Sequence, residues 1–179
     1  MSKNHIRKKI LKLRQKKNFK NQPFQIEKIF KFIKNINLKN KVIGCYYPIS
    51  FEANIVELIK KLQLNNYQVG LPIIHKNFDM DFYEFKFNDP MYINNLGIPE
   101  PKKRGKIIPN ILLMPLVAYD KNLNRIGYGG GYYDRYIKKM EKKKLIKIGL
   151  AFSCQKVNQI PFNKFDKKLD HIFTEKDSY

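Results

Sequence analysis

The stretch RIGYGGGYYDRY at positions 125–136 contains four glycines, four tyrosines and three charged side chains. Glycine permits positive φ angles and lets backbone N–H groups approach an anion without a Cβ in the way. The helix predicted after the glycines adds N-terminal donors and the positive end of its dipole. The stretch therefore predicts a phosphate-binding loop, although it matches neither the Walker pattern nor the dinucleotide GxGxxG motif.

Charged and aromatic residues flank these glycines. Arg125 can place its forked guanidinium on phosphate oxygens. Asp134, in the first turn of the helix, can act either as a partner of the helix dipole or as a Mg²⁺ ligand. Tyr132 and Tyr133 offer flat faces for stacking a heterocycle, unless one of them packs in the core. The residue types favour a nucleotide site and leave these structural roles open.

The elements that must position the loop alternate between helices and strands. Apolar periodicity predicts helices at 2–17, 24–36, 54–63 and 133–144. Apolar runs predict strands at 41–48, 67–74, 80–87, 111–120, 145–152 and 170–175, the last at an edge, and residues 88–110 are predicted to be irregular.

Strands that are apolar on both faces and alternate with helices indicate an α/β fold. We expect residues 1–179 to form a single domain of three layers, α/β/α, with a mainly parallel, open, Rossmann-like sheet. The glycine loop then lies at the carboxyl end of the strand 111–120, where open sheets bind ligands.

The formal net charge is +21, with 31 Lys against 5 Arg. A basic surface suggests nucleic-acid binding. However, 18 Asn and 23 Ile share A/T-rich codons with Lys, and a surface built for phosphate contacts more often uses Arg. Compositional drift, with attraction of anionic small molecules, is the favoured interpretation, and the five arginines become informative.

Nothing in the sequence indicates export or a membrane span. The basic N-terminus lacks the apolar core of a signal peptide, although it also has some features of a transit-like helix. Cys45 and Cys154 lie far apart with no metal-ligand spacing, which indicates two reduced, buried thiols. We expect a cytoplasmic protein.

The glycine stretch also resembles the signature of the 5-formyltetrahydrofolate cyclo-ligase family, whose members are also called methenyltetrahydrofolate synthetases. The resemblance covers nearly the whole chain, because further short motifs follow in the family's order. These are KNHIR (3–7), YYPISFE (46–52), LP (71–72), GIPEP (97–101), MPLVAYD (114–120), AFSCQ (151–155), IPFNKFD (160–166) and TE (174–175).

The resemblance implies an ATP- and Mg²⁺-dependent cyclisation of 5-formyltetrahydrofolate to 5,10-methenyltetrahydrofolate, which releases ADP and phosphate. Phosphorylation of the formyl oxygen would activate it, and N10 would then attack the formyl carbon. The implied partners are ATP and the folate, including polyglutamylated forms, with neither nucleic acid nor membrane, in a monomer.

The resemblance also implies roles for individual positions. Arg125, Asp134 and Arg7 would be catalytic, and Asp134 and Asp166 would bind Mg²⁺. The implied ATP contacts are Lys3, Asn4, His5, Ile6, Arg7, Arg125, Ile126, Gly127, Tyr128, Gly129, Gly130, Gly131, Tyr132 and Tyr133. The implied folate contacts are Tyr47, Glu52, Tyr128, Gly129, Gly130, Gly131 and Tyr132.

Two other classes of function stay open from the sequence. A basic nucleic-acid-binding protein would explain the charge, but it would not explain why one loop combines glycines, Arg125 and Asp134. A folate- or nucleotide-binding regulator without activity would share the fold.

Overall fold

A computed structural model of the 179-residue chain describes residues 1–17, 19 and 22–179. The helices are α1 Lys3–Lys17, α2 Ile26–Asn35, α3 Val56–Leu64 and α4 Tyr132–Lys139. The strands are β1 Val42–Gly44, β2 Gln68–Ile74, β3 Met80–Glu84, β4 Tyr92–Ile93, β5 Pro99–Glu100, β6 Lys106–Ile107, β7 Ile111–Pro115, β8 Ala118–Tyr119, β9 Arg125–Ile126, β10 Ile146–Leu150 and β11 His171–Phe173.

Seven of the described strands form one open sheet in the order β11-β10-β7-β1-β2-β3-β6. The pairs from β11 to β2 are parallel, and the pairs β2–β3 and β3–β6 are antiparallel. The predicted mainly parallel open sheet is confirmed, with β11 at one edge as expected.

The central strand β7 is buried on both faces. Ile111 and Leu113 belong to a core cluster that includes side chains of α2 and α3. Leu112 and Met114 belong to a second cluster, which includes Tyr136 and Ile137 of α4. Because successive side chains of a strand point to opposite faces, helices cover both sides of the sheet, which confirms the three layers.

Helix α1 packs near the carboxyl ends of the parallel strands. Its Ile6 and Ile10 form a third cluster with Val117, Ala118 and Ile126 of the β8–β9 segment. This packing brings the first turn of α1 to the same end of the sheet as the glycine loop.

The predicted strand 111–120 is two strands. Strand β7 ends at Pro115, which has no N–H to continue a ladder, and β8 turns away to pair with β9 in a separate hairpin. The side chain of Gln155 donates hydrogen bonds to the carbonyls of Leu116 and Val117 at 2.5 and 2.9 Å, which satisfies the backbone where the chain leaves the sheet.

Residues 88–110 contain more order than the sequence predicts. They include the antiparallel β4–β5 hairpin and β6, which adds the last strand to the sheet beside β3. Glu100 accepts hydrogen bonds from the Ile74 N–H at 2.8 Å and from the Asn94 side chain at 2.9 Å, and so fixes the hairpin against β2. These two-residue strands are too short to produce a periodic sequence signal.

Both cysteines are free, and Cys45 is buried whereas Cys154 is half-buried. Burial raises the pKa of both thiols, so they are protonated near neutral pH. No helix in the described residues combines the length and the apolar character needed to cross a membrane.

Candidate active site

A cavity of about 630 Å³ lies at the carboxyl ends of β1, β2 and β7. The start of α1, the glycine loop and the β4–β5 hairpin form its other walls. This is the position at which open α/β sheets bind ligands. All five residues of the loop 127–131 line the cavity, so the predicted phosphate-binding loop faces this space.

The glycine loop uses backbone conformations that other residues adopt only with strain. Gly129 has φ +110° and Gly131 has φ +67°. Gly131 is the residue immediately before α4, so its left-handed conformation turns the chain into that helix. The loop thus presents backbone, rather than side chains, beside the first turn of α4.

Arg125 and Asp134 meet at one end of this loop. The Arg125 Nη2 donates to the Asp134 Oδ1 at 2.7 Å, and the Arg125 side chain is only 5% exposed. Its Nε atom is buried and has no hydrogen-bond partner among the described residues. A guanidinium with unused donor capacity beside a glycine loop suits an incoming anion.

A buried aspartate holds the hairpin that carries Arg125. Asp120 accepts hydrogen bonds from the backbone N–H groups of Asn122, Asn124 and Ile160, at 2.9, 3.1 and 3.0 Å, and from the Asn124 side chain at 2.9 Å. The backbone bonds close the β8–β9 turn and tie it to the segment that leads to Asp166. The hydrogen bonds of Asp120 therefore hold the β8–β9 turn so that Arg125 lies beside the glycine loop.

Two cations of α1 enter the same end of the cavity. Lys3 and Arg7 lie one helical turn apart and both line it. The Arg7 Nε donates to the carbonyl of Gly127 at 2.8 Å, so it touches the glycine loop directly. The Lys3 Nζ lies 2.5 Å from both carboxylate oxygens of Asp166.

The carboxylates of Asp134 and Asp166 fit a Mg²⁺ site. Both line the cavity, and the Lys167 N–H donates to Asp134 at 3.3 Å, which brings the loop containing Asp166 against α4. Mg²⁺ commonly takes one or two carboxylates and completes its shell with phosphate oxygens and water. No group of three or more His, Cys, Asp or Glu side chains suited to a metal occurs in the described residues. A two-carboxylate site that shares its ion with phosphate is the arrangement consistent with this chain.

Glu52 lies at the other end of the cavity and is 7% exposed. It follows a tight turn in which Ser50 and Phe51 both have positive φ angles. The carboxylate accepts a hydrogen bond from the Ile49 N–H at 2.9 Å. Burial raises the pKa of Glu52 from 4.5 to about 7, although the Ile49 N–H, the nearby Tyr128 hydroxyl and the positive charge of Arg14 each lower it.

Aromatic and apolar side chains line the cavity together with Glu52. Tyr46, Tyr47, Tyr128, Tyr132 and Tyr133 all line the cavity. The opposite wall is apolar and comes from β2, β3 and the β4–β5 hairpin, through Pro72, Ile74, Met80, Leu96, Ile98 and Pro99. This end can enclose a flat, mostly apolar ring and present one carboxylate to its N–H donors.

The chain is similar to known proteins over most of its length. The 5-formyltetrahydrofolate cyclo-ligase family matches residues 1–175 of the chain. A 5-formyltetrahydrofolate cyclo-ligase of Haemophilus influenzae is 37% identical over 140 residues, which are 74% of each chain. One of Escherichia coli is 31% identical over 139 residues, which are 74% of this chain and 76% of the relative.

The chain belongs to the 5-formyltetrahydrofolate cyclo-ligase family. Members of this family are enzymes of folate metabolism, so this protein is a cyclo-ligase. Its structure resembles that of the Aquifex aeolicus 5,10-methenyltetrahydrofolate synthetase, with a TM-score of 0.80 and 27% identity over 99% of this chain and 92% of that one. A synthetase of that name from Mycoplasma pneumoniae shares the fold, with a TM-score of 0.76 and 24% identity over 98% and 99% of the two chains.

The cavity of this cyclo-ligase brings together most of the predicted site residues. Lys3, Arg7, Tyr47, Glu52, Arg125, Ile126, Gly127, Tyr128, Gly129, Gly130, Gly131, Tyr132, Tyr133, Asp134 and Asp166 all line it. Asn4, His5 and Ile6 are not among its lining residues. Asn4 and His5 are exposed, and Asn4 accepts a hydrogen bond from Arg7, whereas Ile6 packs in the cluster below α1. Their predicted ATP contacts stay predictions, as do the ligand contacts of the residues that line the cavity.

The sequence predicted no role for Tyr46 and Arg14, two buried residues near Glu52. Tyr46 is buried, and its hydroxyl donates to the Ala53 carbonyl at 2.7 Å, which closes the chain around Glu52. Arg14 is buried beneath Tyr128 and Ser50. The signal that marks Arg14 is its type, since arginine is scarce in this lysine-rich chain.

Proposed function

We propose that this cyclo-ligase converts 5-formyltetrahydrofolate and ATP to 5,10-methenyltetrahydrofolate, ADP and phosphate. The observation that carries the proposal is the division of one cavity into two chemically different ends. One end combines the glycine loop with Lys3, Arg7 and Arg125, which suit a triphosphate. The other combines Glu52 with tyrosines and an apolar wall, which suit a pterin.

The chemistry explains why ATP is needed. An N-formyl group is amide-like and a poor electrophile, and its oxygen is a poor leaving group. Transfer of the γ-phosphoryl group to the formyl oxygen turns that oxygen into part of a phosphate. N10 then attacks the formyl carbon and loses its proton, and phosphate departs as the five-membered ring closes. N10 belongs to the same molecule, so ring closure needs only that the protein holds the reactive conformer.

The cations of the cavity act on the phosphates. Arg7 and Arg125 flank the glycine loop, and they can stabilise the charge on the transferring group. When bound, Mg²⁺ would neutralise phosphate charge, with the carboxylates of Asp134 and Asp166 to hold it. In the protein as described, Arg125 and Lys3 neutralise these two carboxylates.

The folate end of the cavity orients the substrate. The Glu52 carboxylate can accept hydrogen bonds from N–H groups on the aminopyrimidinone edge of the pterin. Tyr47, Tyr128 and Tyr132 supply contacts for the ring system, and the apolar wall excludes water from it. Because the glycine loop lies between the two ends, it can hold the formyl oxygen and the γ-phosphate side by side.

A comparison of the intact protein with one variant tests the reaction and the metal-binding role of Asp134 together. The absorbance of methenyltetrahydrofolate is followed with the intact protein and with Asp134→Asn, in the presence and absence of ATP, and with Mg²⁺ or excess EDTA. Product that requires ATP, Mg²⁺ and Asp134 supports the proposal. A folded protein that binds ATP but makes no product would contradict it, and would favour a regulator.

We also propose that the lysine-rich surface favours folates with polyglutamate tails, because the tail is polyanionic. The KM values for the mono- and polyglutamyl substrates are compared across a range of salt concentrations. The polyglutamyl form should have the lower KM at low salt, and the difference should shrink as salt screens the charges. Equal KM values at every salt concentration would contradict this.

A further inference from the structure

Arg14 is a buried arginine beside the folate end of the cavity. It lies in the last turn of α1 and is 2% exposed, although it belongs to a helix whose other cations are exposed or half-buried. Charged side chains are rarely buried unless they are paired or hydrogen-bonded. Arg14 forms no ion pair with the described carboxylates, so its hydrogen bonds must account for its position.

Those hydrogen bonds join three separate segments of the site. The Arg14 Nη1 donates to the carbonyl of Leu116 at 3.3 Å, just after β7. Its Nη2 donates to the carbonyl of Ser50 at 2.7 Å, in the turn that precedes Glu52. The same nitrogen donates to the hydroxyl of Tyr128, in the glycine loop. A lysine, with one terminal nitrogen on a flexible stem, does not match this fork of donors.

Tyr128 passes this constraint on to Glu52. Its hydroxyl accepts a hydrogen bond from Arg14 and interacts electrostatically with the Glu52 carboxylate, so Arg14 holds the hydroxyl beside that carboxylate. The Arg14 guanidinium carbon also lies 5.6 Å from the centre of the Tyr128 ring. Tyr128 is 42% exposed, so without these contacts its side chain is free to turn towards solvent.

We propose that Arg14 is a positioning residue for the folate: it holds Tyr128 and the turn before Glu52 in the arrangement that receives the pterin. The proposal rests on the proposed function, because it assumes that the end of the cavity around Glu52 binds the folate. Arg14 does not line the cavity and acts through Tyr128 and Glu52. Its charge also favours the ionised form of Glu52, which is the form that can accept two pterin hydrogen bonds.

A double-mutant cycle tests this role. The variants are Arg14→Met, which keeps an unbranched apolar stem, Tyr128→Phe, which removes only the hydroxyl, and their combination. We measure KM for the folate, KM for ATP and the equilibrium Kd for 5-formyltetrahydrofolate by calorimetry without ATP. Arg14→Met should raise KM and Kd for the folate by about tenfold, with little change in KM for ATP. The KM and Kd of the double variant for the folate should be no higher than those of Arg14→Met, because Arg14 acts on the folate through Tyr128.

Two control variants show whether the effect is specific to the guanidinium of Arg14. Arg14→Lys keeps the charge and should remain folded, yet it should raise the folate KM about fivefold because the fork is lost. Arg104→Met removes a more exposed arginine that pairs with Asp89 away from the cavity, and should leave both KM values unchanged. If Arg14→Met does not fold, Arg14→Lys replaces it in the cycle with Tyr128→Phe.

The outcomes separate this inference from the proposed function. Equal increases in both KM values, or additive effects of the two substitutions on folate binding, would overturn the role of Arg14 while leaving the reaction intact. A wild-type protein that neither binds nor converts the folate would overturn both. A folate-specific, non-additive loss supports the role of Arg14.

Discussion

The two ends of the cavity treat their carboxylates in different ways. At the phosphate end, Asp134 and Asp166 each contact a cation, Arg125 at 2.7 Å and Lys3 at 2.5 Å. At the folate end, Glu52 is buried, and its carboxylate accepts a hydrogen bond from the neutral Ile49 N–H and forms no ion pair with the described residues. Burial therefore dominates at Glu52 and raises its pKa to about 7.

This difference between the ends suits the two ligands proposed above. At the phosphate end, the two ion pairs balance the charges of the carboxylates before any ligand binds. These ion pairs can be exchanged for contacts with a polyanion and its metal. A desolvated carboxylate gains more from the N–H donors of a neutral ring than an exposed one does, because water does not compete for it. Each end is therefore prepared for a different kind of partner.

The substitution Asp134→Asn tests the phosphate end and should have the largest effect. The amide oxygen of Asn can still accept the hydrogen bond from Arg125, so the fold should be retained, while the charge needed for a metal is lost. We expect kcat to fall about 10³-fold with only a small change in Tm, measured by the absorbance assay and by thermal unfolding. Asp170→Asn removes a carboxylate paired with Lys147 away from the cavity and serves as the control. Equal losses of kcat in Asp134→Asn and Asp170→Asn would contradict a special role for the carboxylates of the phosphate end.

The pH dependence of stability tests the folate end. Between pH 4.5 and about 7, the folded protein keeps a proton on Glu52 that the unfolded chain has released. The contribution of Glu52 therefore lowers the free energy of unfolding as pH rises through this interval, by about 3 kcal/mol in total. Glu52→Gln should lose this contribution, so its stability should change less between pH 4.5 and pH 8.

Urea unfolding of both proteins at pH 4.5 and pH 8 measures this difference, because the other titrating groups are common to the two chains. Identical pH profiles would mean that Glu52 ionises without cost, as a paired carboxylate does, and the contrast between the ends would disappear.

The same substitution should weaken folate binding selectively. Gln keeps one acceptor oxygen but loses the charge, so the pterin N–H groups lose a charge-assisted hydrogen bond. We expect the KM for the folate to rise about tenfold while the KM for ATP changes by less than about twofold. Steady-state kinetics with each substrate varied in turn measures both values. A comparable rise in the KM for ATP would indicate that the two ends act as one unit.

Substitution of a loop glycine should give the smallest effect. Gly129→Ala places a side chain at φ +110° and puts its Cβ 3.5 Å from the Arg7 guanidinium carbon, beside the proposed position of the phosphates. We expect a loss of stability of about 1 kcal/mol and a rise of about fivefold in the KM for ATP alone. Gly105→Ala, also at positive φ but outside the cavity, should lose similar stability with unchanged kinetics. Calorimetry and steady-state kinetics compare the pair.

The phosphate end was largely predictable because its signals are local. The glycines, Arg125 and Asp134 occur within ten positions, and the strand before them and the helix after them fix their relative direction. The contact between Lys3 and Asp166 joins residues that are distant in sequence. No local pattern indicates it, and only the family resemblance placed both residues in one site.

The folate end was less predictable because burial, rather than residue type, determines its chemistry. Glu52 follows a turn in which Ser50 and Phe51 adopt positive φ angles, and neither is a residue type that favours positive φ. Arg14 lies in a helix rich in exposed lysines, so its burial follows from how α1 packs and could not be predicted from the helix sequence.

The ion pair between Lys3 and Asp166 spans 163 positions of the chain. A ribosome that synthesises this protein releases Lys3 long before Asp166 exists, so a nascent chain cannot assemble the phosphate end until almost all of its residues have emerged. Glu52 and Arg14, by contrast, are both available early. A truncated translation product therefore lacks the contact between Lys3 and Asp166, and the phosphate end is complete only in a nearly full-length chain.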